Sequence, residues 1–461
     1  MSPPGPLAAL VGDELMVPCA DGQERPYLSC DAAASTGAFP SVLAAVDEFV
    51  PRYSSVHRGA GYKSQFATDA YEKARESVLR FAGRSGADDV ALFCRNTTEA
   101  INHLAYRLRL SAADVVVTTV VEHHANLLPW LRAARCRFVE CDRDGTFQVP
   151  QVQDVLASVP TVRLLALTGA SNITGWMPQL PEIVAAAHER GVPVLVDAAQ
   201  LVPHRKLATE ADFIVWSGHK MYAPFGAGAL IGPRKAFLEG DPFLVGGGAV
   251  DLVALDEVVW TGLPDKEEAG SPNVVGAIAL GAAIEQFEAI GWPAITAHDQ
   301  ELAASLRCGL AEIPGVHLLG PSPGALTLPV ASFTIDGMPH SLVAARLSVE
   351  DAIGVRHGCF CAHPYLMRLL GLDAAEVERY RAAARAGDRA RMPGAVRASL
   401  GVNGSLKDVE RLCRAVSRLA SGEPAPVPYV QDLATGDFSP ATGHEPWLVA
   451  PRQHGSSCSP G

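Results

Sequence analysis

Between about residues 90 and 235, short β-rich runs alternate with stretches of helical pattern, and this alternation constrains the fold more than any other feature of the chain. Strand and helix in alternation give a mostly parallel sheet covered by helices, because a parallel neighbour is reached only through a crossover. The clearest runs lie at 115–120, 164–167, 192–197 and 213–217. Pro193 is tolerable only near the start of its strand, which is where it falls. Residues 180–191 carry a proline near the start and Gly191 at the end, the punctuation of a crossover helix. In such sheets the ligand sits beyond the carboxyl ends of the strands. The polar residues just after each run are therefore where chemistry is expected.

The chain has 461 residues, 48% of them hydrophobic and 19% charged, enough for two cores. A large α/β domain is expected over 28–291, after an N-terminal segment 1–27. From about 292 the pattern changes to a helix at 294–310 and strand-like runs at 315–319 and 330–335, which predicts a smaller α+β domain up to 422. Residues 373–391 are crowded with Ala, Arg and Glu and favour an exposed helix. The segment 423–461 is rich in Pro, Gly and Ser and reads as an irregular tail. A formal net charge of -12 argues against nucleic acid or an anionic membrane as partner. The N-terminus lacks the pattern of a signal peptide, and the ten scattered cysteines suit reduced thiols, so a cytoplasmic protein is expected.

The run from Asp212 to Lys220 ends an apolar strand in Ser217-Gly218-His219-Lys220 and brings one amine to one fixed point. A lone lysine there is ordinarily a solvated strand end. Upstream, however, a second buried run ends in Asp197. A lysine that holds pyridoxal phosphate (PLP) as a Schiff base, with a carboxylate for the pyridinium nitrogen, is what PLP chemistry requires. Phosphate needs clustered N–H and hydroxyl donors at a helix N-terminus. Asn96, Thr97 and Thr98 open a helix in that place, and Ser217 and His219 add donors beside the lysine. After the strand that ends at Val121 come Glu122, His123 and His124, and an imidazole there can stack on the pyridine. Adjacent histidines seldom converge on one ion, so no metal is expected. Arg356, His357, Cys359, Cys361 and His363 share one loop, and neighbouring positive charge favours a nucleophilic thiolate. A buried thiol or half of a metal cluster is the alternative reading of that loop. Arg397 is of the type that pairs a substrate carboxylate bidentately.

Together these motifs resemble the class V aminotransferase branch of PLP fold type I, and within it the cysteine desulfurases and selenocysteine lyases. The likeness runs over about residues 28–418. It is carried by Val56-His57-Arg58-Gly59, Thr97 to Asn102, Glu122 to Asn126, Ser171-Asn172, Asp197-x-x-Gln200, Ser217 to Lys220, Glu268 to Asn273 and Arg397-Ala398-Ser399. The resemblance implies a large domain with a mostly parallel seven-stranded sheet and a smaller α+β C-terminal domain. It implies that Lys220 holds PLP, Asp197 pairs the ring nitrogen, His123 stacks on the ring and Gln200 meets the phenolic oxygen. Thr98, Ser217 and His219, beside Thr97, would hold the phosphate, with Ser271 reaching it from the neighbouring subunit of a homodimer. Asn172 and Arg397 would take the substrate carboxylate, His57 would border the substrate pocket, and Cys361 would accept sulfur; Arg356, in the same loop as Cys361, is a further candidate for binding substrate.

Three departures stand out. Cys359 and Phe360 replace the family's His-His, which resembles the desulfurase domain of molybdenum cofactor sulfurases. Gly246-Gly247-Gly248 continues with Ala249 and Val250 where a glutamate is usual, and the stretch from Cys361 to Arg397 is long. The expected activity is removal of sulfur from L-cysteine, giving alanine and an enzyme persulfide for a sulfur-acceptor protein or metabolite. An aminotransferase, epimerase or C–S lyase would use the same lysine with Cys361 a bystander. A non-catalytic PLP-fold binding protein is the reading from another class.

Overall fold

The computed structural model describes residues 5–441, Arg58 excepted. Arg58 of the Val56–Gly59 motif and the tail beyond 441 therefore lie outside the described residues. The central sheet holds seven strands: β1 (Asp89–Cys94), β2 (Val115–Thr119), β3 (Arg135–Val139), β4 (Leu164–Thr168), β5 (Val194–Asp197), β6 (Phe213–Ser217) and β7 (Gly228–Pro233), in the order β1-β7-β6-β5-β4-β2-β3. The strands β2, β4, β5 and β6 are buried along their whole length. That is why they read as continuous apolar runs rather than alternating ones. The pairs from β3 through β2, β4 and β5 to β6 are parallel, and β7 runs antiparallel between β1 and β6. The reversal has a simple cause. Residues 218–227 are too few for a crossover, so the chain must turn back.

Helices cover this sheet, among them α1 (Tyr62–Phe81), α2 (Thr97–Arg107), α3 (Leu180–His188) and α4 (Val274–Ile290). The α4 helix is apolar nearly all round, and it packs along α1 with Ala277, Leu280, Ile284 and Phe287 buried.

A second, four-stranded antiparallel sheet follows α5 (Trp292–Ala311). Its strands are β8 (Val316–Leu319), β9 (Val330–Ile335), β10 (Arg356–Gly358) and β11 (Ala395–Ser399), in the order β8-β9-β11-β10. Its core draws Leu306, Phe333, Leu347, Val396 and Leu412 together with Leu28 and Cys30 from the N-terminal part of the chain. Along this sheet runs α6 (His340–Asp351); after it in the chain come α7 (His363–Leu369), whose Tyr365 and Leu366 pack into the core of the large domain, and α8 (Ala374–Arg385). The last helix, α9 (Leu406–Ala420), buries Val409, Leu412, Val416 and Leu419 on one stripe and starts from a Ser405–Asp408 capping box.

The exposed helix expected within 373–391 is α8, which buries none of its residues. The tail differs from its reading. Its described part forms a hairpin of β12 (Tyr429–Gln431) and β13 (Phe438–Pro440). Strands this short hold only against other surface, and that surface belongs to the site.

Candidate active site

The carboxyl ends of β1, β4, β5 and β6, together with the loop after β10, open into one cavity of about 1020 Å³. Thr97, Thr98, His123, Asn172, Asp197, Gln200, Ser217, His219, Lys220, Arg356, Cys361 and Arg397 all line it. Residues read from distant parts of the sequence thus converge because each follows a strand of the same sheet or faces it from the smaller one.

Lys220 ends a single turn, Gly218–Lys220, directly after β6. That turn needs a glycine at its start, since a Cβ on Gly218 would lie 2.9 Å from the carbonyl of Ala227. The Lys220 Nζ donates to Gln200 Oε1 at 3.4 Å. Burial pulls the amine down to about 8, with Asp197 opposing and Arg397 adding to the fall. Asp197, at the end of β5, accepts the Ala199 N–H at 3.0 Å. Burial raises its carboxyl above the ordinary range, against that bond and the Lys220 charge.

His123 accepts the Ala125 N–H on Nδ1 at 3.0 Å, which leaves Nε2 to carry the proton of the neutral ring. Burial, then the Lys220 charge, pushes it down to about 4, so it is neutral near pH 7. Its neighbour Glu122, given no role by the sequence reading, fixes this loop. Glu122 Oε1 accepts the Thr119 hydroxyl at 2.7 Å and the Thr168 N–H at 3.0 Å, and Oε2 accepts the Asn126 amide at 2.6 Å. The loop is thereby tied to β2 and β4 at once.

At the other wall Asn96 caps α2, accepting the Glu99 N–H at 3.0 Å. The Thr97 N–H donates to Ser217 Oγ at 2.8 Å, and the two hydroxyl oxygens lie 2.7 Å apart. Thr98 is exposed beside them. His219 Nδ1 lies 3.3 Å from the Ser35 hydroxyl, and burial followed by the Lys220 charge brings this imidazole to about 4.

Arg397, in β11, is buried. Its Nη1 donates to the Asn172 carbonyl at 2.9 Å and its Nη2 to Asp31 Oδ1 at 3.0 Å. Its Nε is buried with no hydrogen-bond partner among the described residues. The side-chain amide of Asn172 donates to the Phe360 carbonyl at 2.8 Å, and the Phe360 ring stacks with its centroid 5.1 Å from the guanidinium. Arg356 is half exposed and pairs with Asp31 Oδ2 at 3.2 Å. Asp31 thus holds both arginines, a role that the sequence reading missed. Its one visible signal is a carboxylate between the buried Cys30 and three successive alanines.

The thiol loop is strained. Phe360 and Cys361 have φ of 53° and 54°, the left-handed region, and Gly358, one residue before Cys359, has a φ of 103°. Backbone bonds hold it, with the Cys361 carbonyl accepting the His124 N–H and the Cys359 carbonyl accepting that of Ala362. His124 also stacks on His363, with ring centroids 5.1 Å apart. Cys361 is exposed, while Cys359 is half-buried and lines the same cavity.

Two expected site residues stand apart. His57 was expected at the substrate pocket, but it does not line the cavity within this chain. Its Nε2 is 3.0 Å from Glu72 and its Nδ1 3.5 Å from Asp265, and Glu72 raises its pKa. Ser271 is exposed in the loop before α4 and also lies outside the cavity.

Comparison with known proteins agrees with this architecture. The family description "Aminotransferase class-V" matches residues 28–412. A probable cysteine desulfurase of Halalkalibacterium halodurans is 37% identical over 363 residues, covering 76% of this chain and 87% of that protein. One from Vibrio cholerae is 34% identical over 407 residues, covering 86% of this chain and 94% of that protein. Among solved structures, the cysteine desulfurase of Thermococcus onnurineus superposes with a TM-score of 0.76 at 31% identity, covering 86% of this chain and 95% of that one. The cysteine desulfurase CsdA of Escherichia coli gives a TM-score of 0.72 at 31% identity, with the same coverage. The fold is therefore PLP fold type I, and the chain belongs to the class V aminotransferase family, whose members are PLP-dependent enzymes.

Proposed function

We propose that this protein is a PLP-dependent cysteine desulfurase that converts L-cysteine to alanine and leaves the sulfur as a persulfide on Cys361. The observation that carries the reading is the meeting, in one cavity, of the Lys220 amine, the Asp197 carboxylate and the Cys361 thiol. The relatives named above as cysteine desulfurases support the same reaction.

The residues present fit PLP. Asp197 is a buried carboxylate accepting one backbone N–H, so a protonated ring nitrogen is the partner its chemistry calls for. The neutral imidazole of His123 suits stacking on a pyridine. Thr97, Thr98, Ser217 and His219 offer hydroxyl and imidazole donors at the start of α2, where the helix dipole favours phosphate. Gln200 would meet the phenolic oxygen.

When bound, PLP supplies an electron sink for negative charge at the substrate α-carbon. Lys220 Nζ, brought to about 8, exchanges between amine and ammonium near neutrality and can take and return protons. Arg397 and Asn172 hold the substrate carboxylate, and the unpartnered Arg397 Nε is the donor left for it. The Cys361 thiolate attacks the substrate sulfur. A sulfur–sulfur bond forms as the carbon–sulfur bond breaks, and the carbon is protonated to give alanine.

The reading includes a homodimer in which Ser271 and His57 serve the site of the neighbouring chain, since neither reaches the cavity of its own. The test is to incubate the purified protein with L-cysteine and a thiol reductant, then measure alanine and sulfide. Equal amounts of both are expected. Pyruvate and ammonia in place of alanine would transfer the protein to the C–S lyases.

A further inference from the structure

The cavity does not stop at Cys361. Beyond the thiol its lining passes to Arg389, Arg391, Met392, Gly436 and Asp437, from the segment after α8 and the β12–β13 hairpin. These two pieces form a built wall. The Gln431 side-chain amide donates to the Ala390 carbonyl at 2.8 Å. Gly436 packs so closely that a Cβ on it would lie 2.5 Å from the Arg389 carbonyl. Asp437 sits 3.4 Å from His357 Nε2, and His340 lies 3.3 Å from both His357 Nδ1 and the Met392 carbonyl.

The charge of this outer chamber is opposite to that of the chain. Against a net charge of -12, Arg356, Arg389 and Arg391 line it beside Asp437, and Asp31 pairs with Arg356. Neither Arg389 nor Arg391 has an ion pair among the described residues. His340 and His357 are held below the usual imidazole range by burial, so the positive charge comes from the guanidiniums. Small-molecule pockets run to roughly 300–1,000 Å³. At about 1020 Å³ the cavity is at the top of that range, with room past the thiol for a second small molecule. Unpaired arginines on the wall of a concave site select carboxylate or phosphate.

We propose that the outer chamber binds the sulfur acceptor, and that this acceptor is a small molecule carrying a carboxylate or phosphate held by Arg389 and Arg391. The proposal rests on the desulfurase reading and names the partner of its second half. The nucleophilic atom of the acceptor attacks the outer sulfur of the Cys361 persulfide. A new bond to that sulfur forms, the sulfur–sulfur bond breaks, and Cys361 leaves as the thiolate. The acceptor loses one proton to water, so atoms and charge balance without an added oxidant.

The test follows alkylation of Cys361 by iodoacetamide, a neutral reagent, in the PLP-loaded protein without cysteine, read by peptide mass spectrometry. Citrate is the carboxylate probe and inorganic pyrophosphate the phosphate probe, each against sodium chloride at equal ionic strength to hold screening constant. At least one probe is expected to slow alkylation by about fivefold or more, as charge-assisted contacts to two guanidiniums allow, and the one that does so identifies the acceptor's anionic group. In the double variant Arg389→Ala/Arg391→Ala the protection should vanish, and in Arg389→Lys/Arg391→Lys it should return in part. Both side chains are exposed, so the core is untouched. Absence of protection by either probe, or equal protection in parent and double alanine variant, overturns the chamber. Alanine release from L-cysteine is measured on the parent in parallel. Its absence overturns the desulfurase reading, whatever the probes do.

Discussion

The backbone N–H of His124 donates to the carbonyl oxygen of Cys361 at 2.7 Å, joining the loop after β2 of the large sheet to the thiol loop of the small one. Cys361, the proposed nucleophile, is thus positioned by main chain on both sides of the cavity. Its side chain is exposed and makes no hydrogen bond among the described residues.

It follows that Cys361→Ser should keep the loop in place. The variant is expected to retain PLP absorbance and a spectral change with L-cysteine, while alanine release falls by about a hundredfold or more, about 2.7 kcal/mol of barrier. In the parent, brief exposure to cysteine followed by trapping should add one sulfur to Cys361 and none to Cys359. Full alanine release by Cys361→Ser would make the thiol a bystander.

Lys220 gives a pH prediction. In protein stripped of PLP, the neutral amine is the form that captures added PLP, and burial brings its midpoint to about 8 from the usual 10.5. Capture should rise roughly tenfold per pH unit below that midpoint and level off above it. The sign for stability follows. Between about 8 and 10.5 the unfolded chain binds more protons at this residue than the folded one, so its contribution to stability rises with pH across that window. Lys220→Ala should lose both the borohydride-reducible link to PLP and turnover. A capture rate still climbing steeply at pH 10 would place the amine in a solvated setting.

What the sequence made legible was whatever a short stretch of chain encodes. The strands β2, β4, β5 and β6 are covered on both faces and leave continuous apolar runs. Lys220 and Asp197 were legible because each ends such a run. Asp31 was not, since the arginine it binds, Arg397, lies 366 positions away and no local pattern links them. The antiparallel setting of β7 was hidden too, because a buried strand has the same composition in either direction. The hairpin of β12 and β13 was hidden for a third reason. Its three-residue strands persist by resting on Ala390, Arg389 and His357, contacts that only the folded chain supplies.

Asp197→Asn keeps the shape and an oxygen for the Ala199 N–H while removing the charge. Turnover should drop by several powers of ten, each about 1.4 kcal/mol, and PLP should be retained more weakly. Asp197 is the largest influence raising the Lys220 pKa, so its loss should move the midpoint of PLP capture below about 8. The two effects are measured separately, by steady-state alanine release and by the pH titration of stripped protein. Near-parent turnover with an unmoved midpoint would mean that Asp197 faces neither the cofactor nor the lysine.

Arg397→Lys tests the substrate end. The guanidinium binds the Asn172 carbonyl with Nη1 and Asp31 with Nη2, and has Nε left over. A lysine ammonium is one point charge on a flexible stem, so it cannot span the Asn172 carbonyl and Asp31 while offering a further donor to a carboxylate. The partners left behind are buried or half-buried, and each unsatisfied one costs about 1–3 kcal/mol. Arg356 continues to hold Asp31 at 3.2 Å, which keeps the loss toward the lower end. The expected result is a Tm lowered by a few degrees, a KM for L-cysteine raised about tenfold or more and a smaller change in kcat, because the carboxylate is bound alike before and during reaction. A fall in kcat at unchanged KM would assign Arg397 to the reacting sulfur rather than to the carboxylate, and an unchanged KM and kcat would remove it from the substrate site.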